Sequence, residues 1–361
     1  MRSNVKQDNC PESINGGSHS MERSFYISPS PHIKDVDSIP KIMYTVVGSL
    51  IPAGIGAVYF FGIQVLWIIL LSISTAVITE LLCQRILKRP IRITDGSAII
   101  TGLLLAYNLP AEVPLWLPAV GACFGIVVGK MAFGGLGYNP LNPALVGRAF
   151  LMASWPVHMT VFETVPRNGT LSGIDAITTA TPLNVFEHTR EILAHSSQYT
   201  TEQLTEATQA VSQLYDSHGD LFFGRIGGCL GETSAFLLLI GAVFLMYRRI
   251  IGWKIPLTYV GTVALLTWIF GGIDGLFTGD PLFHVLSGGL ILGAFYMATD
   301  MVTSPVTFKG RLLFGTGCGI LTVVIRLWGG YPEGVSYSIL LMNLTVPLLD
   351  RYTKPKIFGG K

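Results

Sequence analysis

The sequence predicts an all-α polytopic membrane protein, and three observations carry that expectation. Only 13% of the 361 residues are charged, about half the share of a soluble domain, while 50% are hydrophobic and the mean hydropathy is +0.53. Ten apolar runs alternate with short polar connectors, over about 42–61, 65–82, 97–109, 115–133, 144–155, 229–247, 255–273, 282–298, 312–328 and 334–349, against the roughly 20 residues that a span requires. The two halves of the chain resemble each other. The expected fold is about ten transmembrane helices, arranged as two inverted five-helix repeats with broken or half-length helices, plus an extracytoplasmic loop segment.

Residues 1–40 are polar, rich in Ser, Pro and Asn, and lack the charged-then-apolar order of a secretory signal. They read as a tail, disordered to about residue 22, with Met21 a second candidate start. The first five runs fill residues 41–155. The third and fifth are too short to cross alone and are bounded by Leu109-Pro110 and by Asn142-Pro143, as in spans broken where backbone is buried in protein or lines a cavity. Residues 156–227 form the long connector, 228–350 hold the second five runs, and 351–361 are a basic tail.

Alternate connectors separate by charge. One set carries Arg85, Lys88, Arg89 and Arg92; Lys130 at a span end; Arg248, Arg249 and Lys254; Lys309 and Arg311; and Arg351, Lys354, Lys356 and Lys361. The positive-inside rule makes these cytoplasmic. The other set, near residues 62–64, 110–114, 271–281 and 329–333, has no Lys or Arg but holds Glu112, Asp274, Asp280 and Glu333. Both termini are then expected on the cytoplasmic side of the membrane, with segment 156–227 on the opposite side.

The repeat lies about 190 residues apart. Asp95-Gly96-Ser97, Thr101-Gly102-Leu103-Leu104 and Gly134-Gly135 correspond to Ser287-Gly288-Gly289, Leu292-Gly293-Ala294-Phe295 and Gly329-Gly330. Five spans per half invert the second copy, and such repeats usually place a binding site at their interface. Shared composition of Gly-rich apolar helices is the alternative.

Several classes are excluded. A net charge of +2 gives no concentrated basic surface for nucleic acid. Cys10, Cys83, Cys123, Cys229 and Cys318 lie far apart without a C-x-x-C pair, which argues against a zinc site, a cluster held by this chain alone, and disulfides. No G-x-G-x-x-G after a strand and no P-loop is present. His158, His188, His195 and His218 share the connector without metal-ligand spacing and read as solvated.

Two motifs remain. Asp175-Ala176-Ile177-Thr178-Thr179-Ala180-Thr181-Pro182 has the form D-x-x-T-x-A-T; by composition it is a small-residue, exposed loop, in which Pro182 ends regular structure. It resembles the sequence at which a flavin transferase joins FMN through its phosphate to a threonine hydroxyl, with Thr181 in the place of the linked residue. The second, Phe133-Gly134-Gly135-Leu136-Gly137-Tyr138-Asn139-Pro140-Leu141-Asn142-Pro143, running on to Arg148, cannot be continuous helix. Asn139, Asn142 and Arg148 either satisfy freed backbone groups at a structural corner or hold a polar cofactor. Ionisable residues within spans are costly and functional by default. Glu80, Arg148, Glu232 and Arg326 qualify, with Asp95 and Asp300 at span ends; each serves an ion path, tunes a flavin, or belongs to a structural ion pair, and Glu232 is the one favoured for an ion path or for tuning a flavin.

DGSAIITGLLLAYNLP, FGGLGYNPLNPALVGRAF, DAITTATPL, GETSAF and GAFYMATDMVTSP stand in the order seen in the RnfD family of Rnf electron transport complexes, which the chain resembles from about Ser28 to Lys354; it is more distantly similar to NqrB. Thr179, Ala176 and Met301 depart from many relatives. The resemblance implies an electron-carrying membrane subunit of a ferredoxin:NAD oxidoreductase that moves sodium ions or protons. It implies covalent FMN on Thr181, with Asp175, Thr178 and Ala180 in the recognition motif, and it allows a non-covalent riboflavin. The partners it implies are RnfG, the extracytoplasmic FMN-bearing subunit, the membrane subunits RnfA and RnfE, and a flavin transferase. The competing class is an inverted-repeat channel or transporter without a redox role, for which the D-x-x-T-x-A-T motif has no use.

Overall fold

A computed structural model describes residues 37–160, 162–164, 177–179, 181–195, 199–224, 227–232, 234–272, 275–329 and 334–354. The tail expected over residues 1–40 lies outside the described residues up to residue 36, and the first helix begins at Ile39.

Helices dominate. In the first half, α1 (Ile39–Phe61) and α2 (Gln64–Ile86) are followed by α3 (Ser97–Tyr107), by α4 (Trp116–Ile126), which runs into a π-turn at Val127–Met131, and by α5 (Pro143–Ser154). The connector holds α6 (Pro156–Thr160), strands β1 (Phe162–Thr164) and β2 (Ile177–Thr179), then α7 (Pro182–Ala194), α8 (Thr201–Asp216) and α9 (His218–Phe223). The second half contains α10 (Ala235–Tyr247), α11 (Lys254–Phe270), α12 (Pro281–Leu286), α13 (Leu290–Leu292) with a π-turn at Gly293–Met297, α14 (Phe308–Trp328) and α15 (Val335–Tyr352).

Among the described residues, α1, α2 and α14 are long and apolar enough to cross a bilayer. Five further apolar helices are shorter, including α3, α5, α10 and α11. Their outward faces are apolar: Ile51, Ile55, Trp67, Ile78, Val243 and Leu257 are all more than half exposed. A water-soluble fold rarely tolerates such continuous apolar surface, whereas lipid solvates it.

The two halves pack in the same order. α2 lies on α4 and α11 on α14, while α4 meets α5 and α14 meets α15. In each half a tyrosine from the short helix ties the first helix: Tyr107 donates to the Leu50 carbonyl at 2.7 Å, and Tyr296 to the Leu238 carbonyl at 2.9 Å. Both short helices start from a left-handed glycine, Gly96 at φ 78° and Gly289 at φ 66°, a conformation that a side chain would strain. α1 and α10 cross closely at Gly241, where a Cβ would collide with the Ser49 carbonyl oxygen.

Three expectations are corrected. The run 282–298 is not one helix; it breaks at Ser287-Gly288-Gly289, and Arg326 takes up the carbonyls exposed there, donating to those of His284 (2.6 Å), Ser287 (3.0 Å) and Gly288 (3.1 Å). The connector is not simply a loop, because α7 to α9 and a short hairpin pairing Glu163 with Thr178 organise it. Lys130 is no surface charge at a span end: it is 1% exposed, inside the π-turn after α4.

Candidate functional site: the Thr181 cleft and the Asp300 cleft

The D-x-x-T-x-A-T motif runs through β2 to the start of α7. Asp175 and Ala180 lie outside the described residues, as does the side chain of Thr178. Thr181 is 4% exposed, contrary to the exposed loop expected. Its extended backbone (φ −61°, ψ 155°) makes it the N-cap of α7, and its Oγ1 accepts from the Asn184 amide at 3.2 Å. Pro182 begins the helix instead of ending structure, because the first helical position needs no N–H donor. Composition alone misled here, since a capping threonine followed by proline resembles a loop until the helix behind it is counted.

α7 holds Thr181 down by packing. Leu183 and Phe186 join Leu221 of α9 and Phe283 of α12 in a buried cluster, and Arg190 donates to the Leu327 carbonyl at the end of α14 at 3.1 Å. Burial lowers the Arg190 guanidinium pKa, while burial and then Glu191 raise that of the Glu187 carboxyl. On the other side of the same contact, His218 meets Asp280 at 2.5 Å, and Asp280 caps α12. Of the four connector histidines, His158, His188 and His195 are exposed. No group of three metal-ligating side chains occurs among the described residues.

Thr181 lines a cleft together with Gly228, Glu232, Ser287 and Gly288. The motif threonine and the favoured acidic residue, 51 positions apart in the chain, therefore share one site. Ser287 is 3% exposed, and its Oγ has no hydrogen-bond partner among the described residues. Glu232 packs its carboxylate on Gly289, with Oε1 2.5 Å from where a Cβ would stand. Gly289 is made necessary by its left-handed backbone at the break before α13, and the repeat offered a signal for the glycines but none for the hydroxyl.

A second, larger cleft is lined by Asn139, Asn142, Asp300, Ser97, Thr101 and Tyr296, among mainly apolar residues. Asn142 caps α5, accepting from the Ala144 amide at 3.1 Å, and Pro143 follows at the first helical position. Asn139 Nδ2 donates to the Leu141 carbonyl at 3.1 Å, while its buried Oδ1 has no partner among the described residues. Asp300 turns back on its own chain, accepting from the Val302 amide at 3.4 Å and the Thr303 hydroxyl at 3.1 Å. Met301, the departure beside it, is half exposed.

Arg148 does not line the Asp300 cleft. It donates to Asn108 Oδ1 at 2.6 Å and lies 3.9 Å from Glu232. Glu80 does not line the Thr181 cleft either; it is ion-paired with Lys130 at 2.7 and 2.8 Å. Ser97 accepts from Lys130 at 2.6 Å and donates to Asp95, and Gln84 donates to Glu80 at 3.1 Å. The residues Glu80, Gln84, Ser97 and Lys130, from α2, α3 and the π-turn, thus form one buried polar knot beside the Asp300 cleft.

The sequence profile of the NQR2, RnfD, RnfE family matches residues 26–359. The chain belongs to that family. Its relatives include the subunit designated D of the proton-translocating ferredoxin:NAD(+) oxidoreductase complex of Clostridium ljungdahlii, to which it is 47% identical over 337 residues, covering 93% of this chain and 97% of that one. It is 44% identical over 340 residues to the like-named subunit of the Na(+)-translocating ferredoxin:NAD(+) oxidoreductase complex of Acetobacterium woodii, covering 94% and 96%. To the like-named subunit of the ion-translocating oxidoreductase complex of Stutzerimonas stutzeri it is 39% identical over 342 residues, covering 89% and 92%.

Proposed function

We propose that this chain is the RnfD membrane subunit of an Rnf-type, ion-translocating ferredoxin:NAD oxidoreductase complex, and that it carries electrons through FMN joined by its phosphate to Thr181. Near-full-length identity to subunits of such complexes supports the first part. The observation that carries the cofactor is the Thr181 cleft, whose lining holds the motif threonine and a buried hydroxyl, Ser287 Oγ, with no partner among the described residues. FMN, when bound, supplies the one- and two-electron redox chemistry. The chain's own residues supply position: Thr181 the oxygen of the ester link, Ser287 a donor for a phosphate oxygen, and the α7 N-terminus a favourable potential for the phosphate charge. Glu232, across the cleft, sets an opposing negative potential.

Burial has a consequence for attachment. A flavin transferase reaches Thr181 only when the first turn of α7 is lifted from Leu286 and Gly288, which share its cleft. The Asp300 cleft suits a non-covalent riboflavin: its walls are apolar, and Asn139 Oδ1 offers a buried acceptor. Electrons from Thr181-linked FMN would pass to or from the flavin of RnfG, with RnfA and RnfE as membrane neighbours. The proton and sodium relatives are 47% and 44% identical to this chain, so the coupling ion is set by details finer than overall similarity.

The segment carrying Thr181 is assigned to the extracytoplasmic side by the basic connectors at the opposite ends of the spans. A cysteine in place of the exposed Glu206 on α8 is expected to react with a membrane-impermeant thiol reagent in intact cells. Labelling only after the cytoplasmic face is opened would reverse the orientation. The cofactor is tested by fluorescence of the denatured chain under ultraviolet light, where a band at 39.1 kDa supports covalent flavin and its absence from an electron-transferring complex removes it.

A further inference from the structure

A single file of buried polar groups joins the two clefts. It begins at Glu232 in the Thr181 cleft and passes to Arg148, 3.9 Å away. Arg148 Nη1 donates to Asn108 Oδ1 at 2.6 Å, and Asn108 Nδ2 in turn touches the Met297 sulfur at 3.6 Å. The Met297 carbonyl accepts from Asn142 Nδ2 at 3.5 Å, and Asn142 lines the Asp300 cleft. Asn108, Arg148, Asn142 and Met297 are 3%, 5%, 4% and 1% exposed, and the Glu232 side chain is 6% exposed. Both halves contribute: Asn108 follows the end of α3 as its C-cap, α5 carries Arg148, and the π-turn after α13 ends at Met297.

The chemistry along the file is uneven. Its ends hold groups that attract a cation, namely the Glu232 carboxylate at one cleft and Asp300 with the Asn139 and Asn142 amides at the other. Its middle holds a guanidinium, which keeps its charge at every working pH and offers a cation no lone pair. A sodium ion or proton entering from the Thr181 side is drawn to Glu232 and then meets Arg148; one entering from the Asp300 side meets Arg148 before any carboxylate beyond it. Fixed positive charges in narrow, water-poor passages exclude cations in this manner.

We propose that Arg148, held by Asn108, is the charge seal between the two clefts, closing the file to sodium ions and protons while no electrons flow. This rests on the reading of the chain as the membrane subunit of an ion-translocating complex. The test uses the intact complex in liposomes, with imposed sodium or proton gradients and neither ferredoxin nor NAD present. Arg148→Gln is expected to raise passive sodium or proton flux at least 10-fold over wild type. Asn108→Asp, nearly identical in shape, sets a carboxylate against Arg148 and is expected to raise the flux several-fold, whereas Arg148→Lys keeps the charge and stays near the wild-type rate. Wild-type flux in assembled Arg148→Gln and Asn108→Asp complexes overturns the proposal, and if Arg148→Gln fails to assemble, Asn108→Asp decides alone. A leak in Arg148→Lys equal to that in Arg148→Gln overturns the role of charge. Failure of the underlying reading shows separately, as a wild-type complex that drives no ion uptake when reduced ferredoxin and NAD are supplied.

Discussion

Lys130→Met destabilises the chain by about 3–5 kcal/mol, the usual cost of stranding one member of a buried ion pair. Glu80 is 2% exposed and receives both of its short bonds from Lys130. Without the ammonium, among the described residues only the Gln84 amide at 3.1 Å is left to hydrogen-bond that carboxylate. The loss extends to Ser97, whose hydroxyl bridges Lys130 and Asp95 at the start of α3. Adding Glu80→Leu to Lys130→Met removes the stranded charge and is expected to restore most of the stability, because an apolar pair of similar volume often matches a buried ion pair. Thermal unfolding of the single and double variants in detergent measures both effects. A Lys130→Met variant that melts with wild type shows that the knot does not hold α2, α3 and the π-turn together.

If FMN is joined to Thr181 as proposed, Thr181→Asn is expected to leave the chain without covalent flavin while keeping α7 capped. Asparagine caps at least as well as threonine, whereas Thr181→Ala also loses the bond to Asn184 and costs about 1 kcal/mol. The asparagine variant therefore separates the two roles of the side chain, since its amide accepts the cap bond but cannot form the phosphoester. Electron transfer through the complex is expected to fall with the flavin, and Thr181→Ser, which keeps both hydroxyl and cap, is expected to retain flavin. Fluorescence of the denatured chain and redox assay of the complex read the outcome. Flavin retained in Thr181→Asn moves the attachment site to Thr178 or Thr179.

Much of the molecule was legible before the fold was known, for identifiable reasons. Apolar runs marked the helices, Leu109-Pro110 and Asn142-Pro143 marked where α3 and α5 are cut short, and the repeat matched Gly96 with the glycines at the break before α13. What stayed illegible depended on distance in the chain. Lys130 reads as a basic span end unless Glu80, 50 residues earlier, is known to face it. Thr181 reads as exposed because small residues and proline surround it, although the helix behind Pro182 packs on α9 and α12. Asn108 carried no local signal at all; its importance comes from Arg148 and Met297, which reach it from α5 and from the other half.

The central claim is the FMN link at Thr181, and peptide mass mapping of the native chain tests it most directly. The chain is purified with its complex from cells that have an active flavin transferase, cleaved, and the peptide spanning Asp175 to Arg190 fragmented. The expected result is one FMN phosphate adduct, located on Thr181 by the fragment masses, with Thr178 and Thr179 unmodified. An unmodified peptide from a complex that transfers electrons, or an adduct on Thr178 or Thr179, contradicts the account.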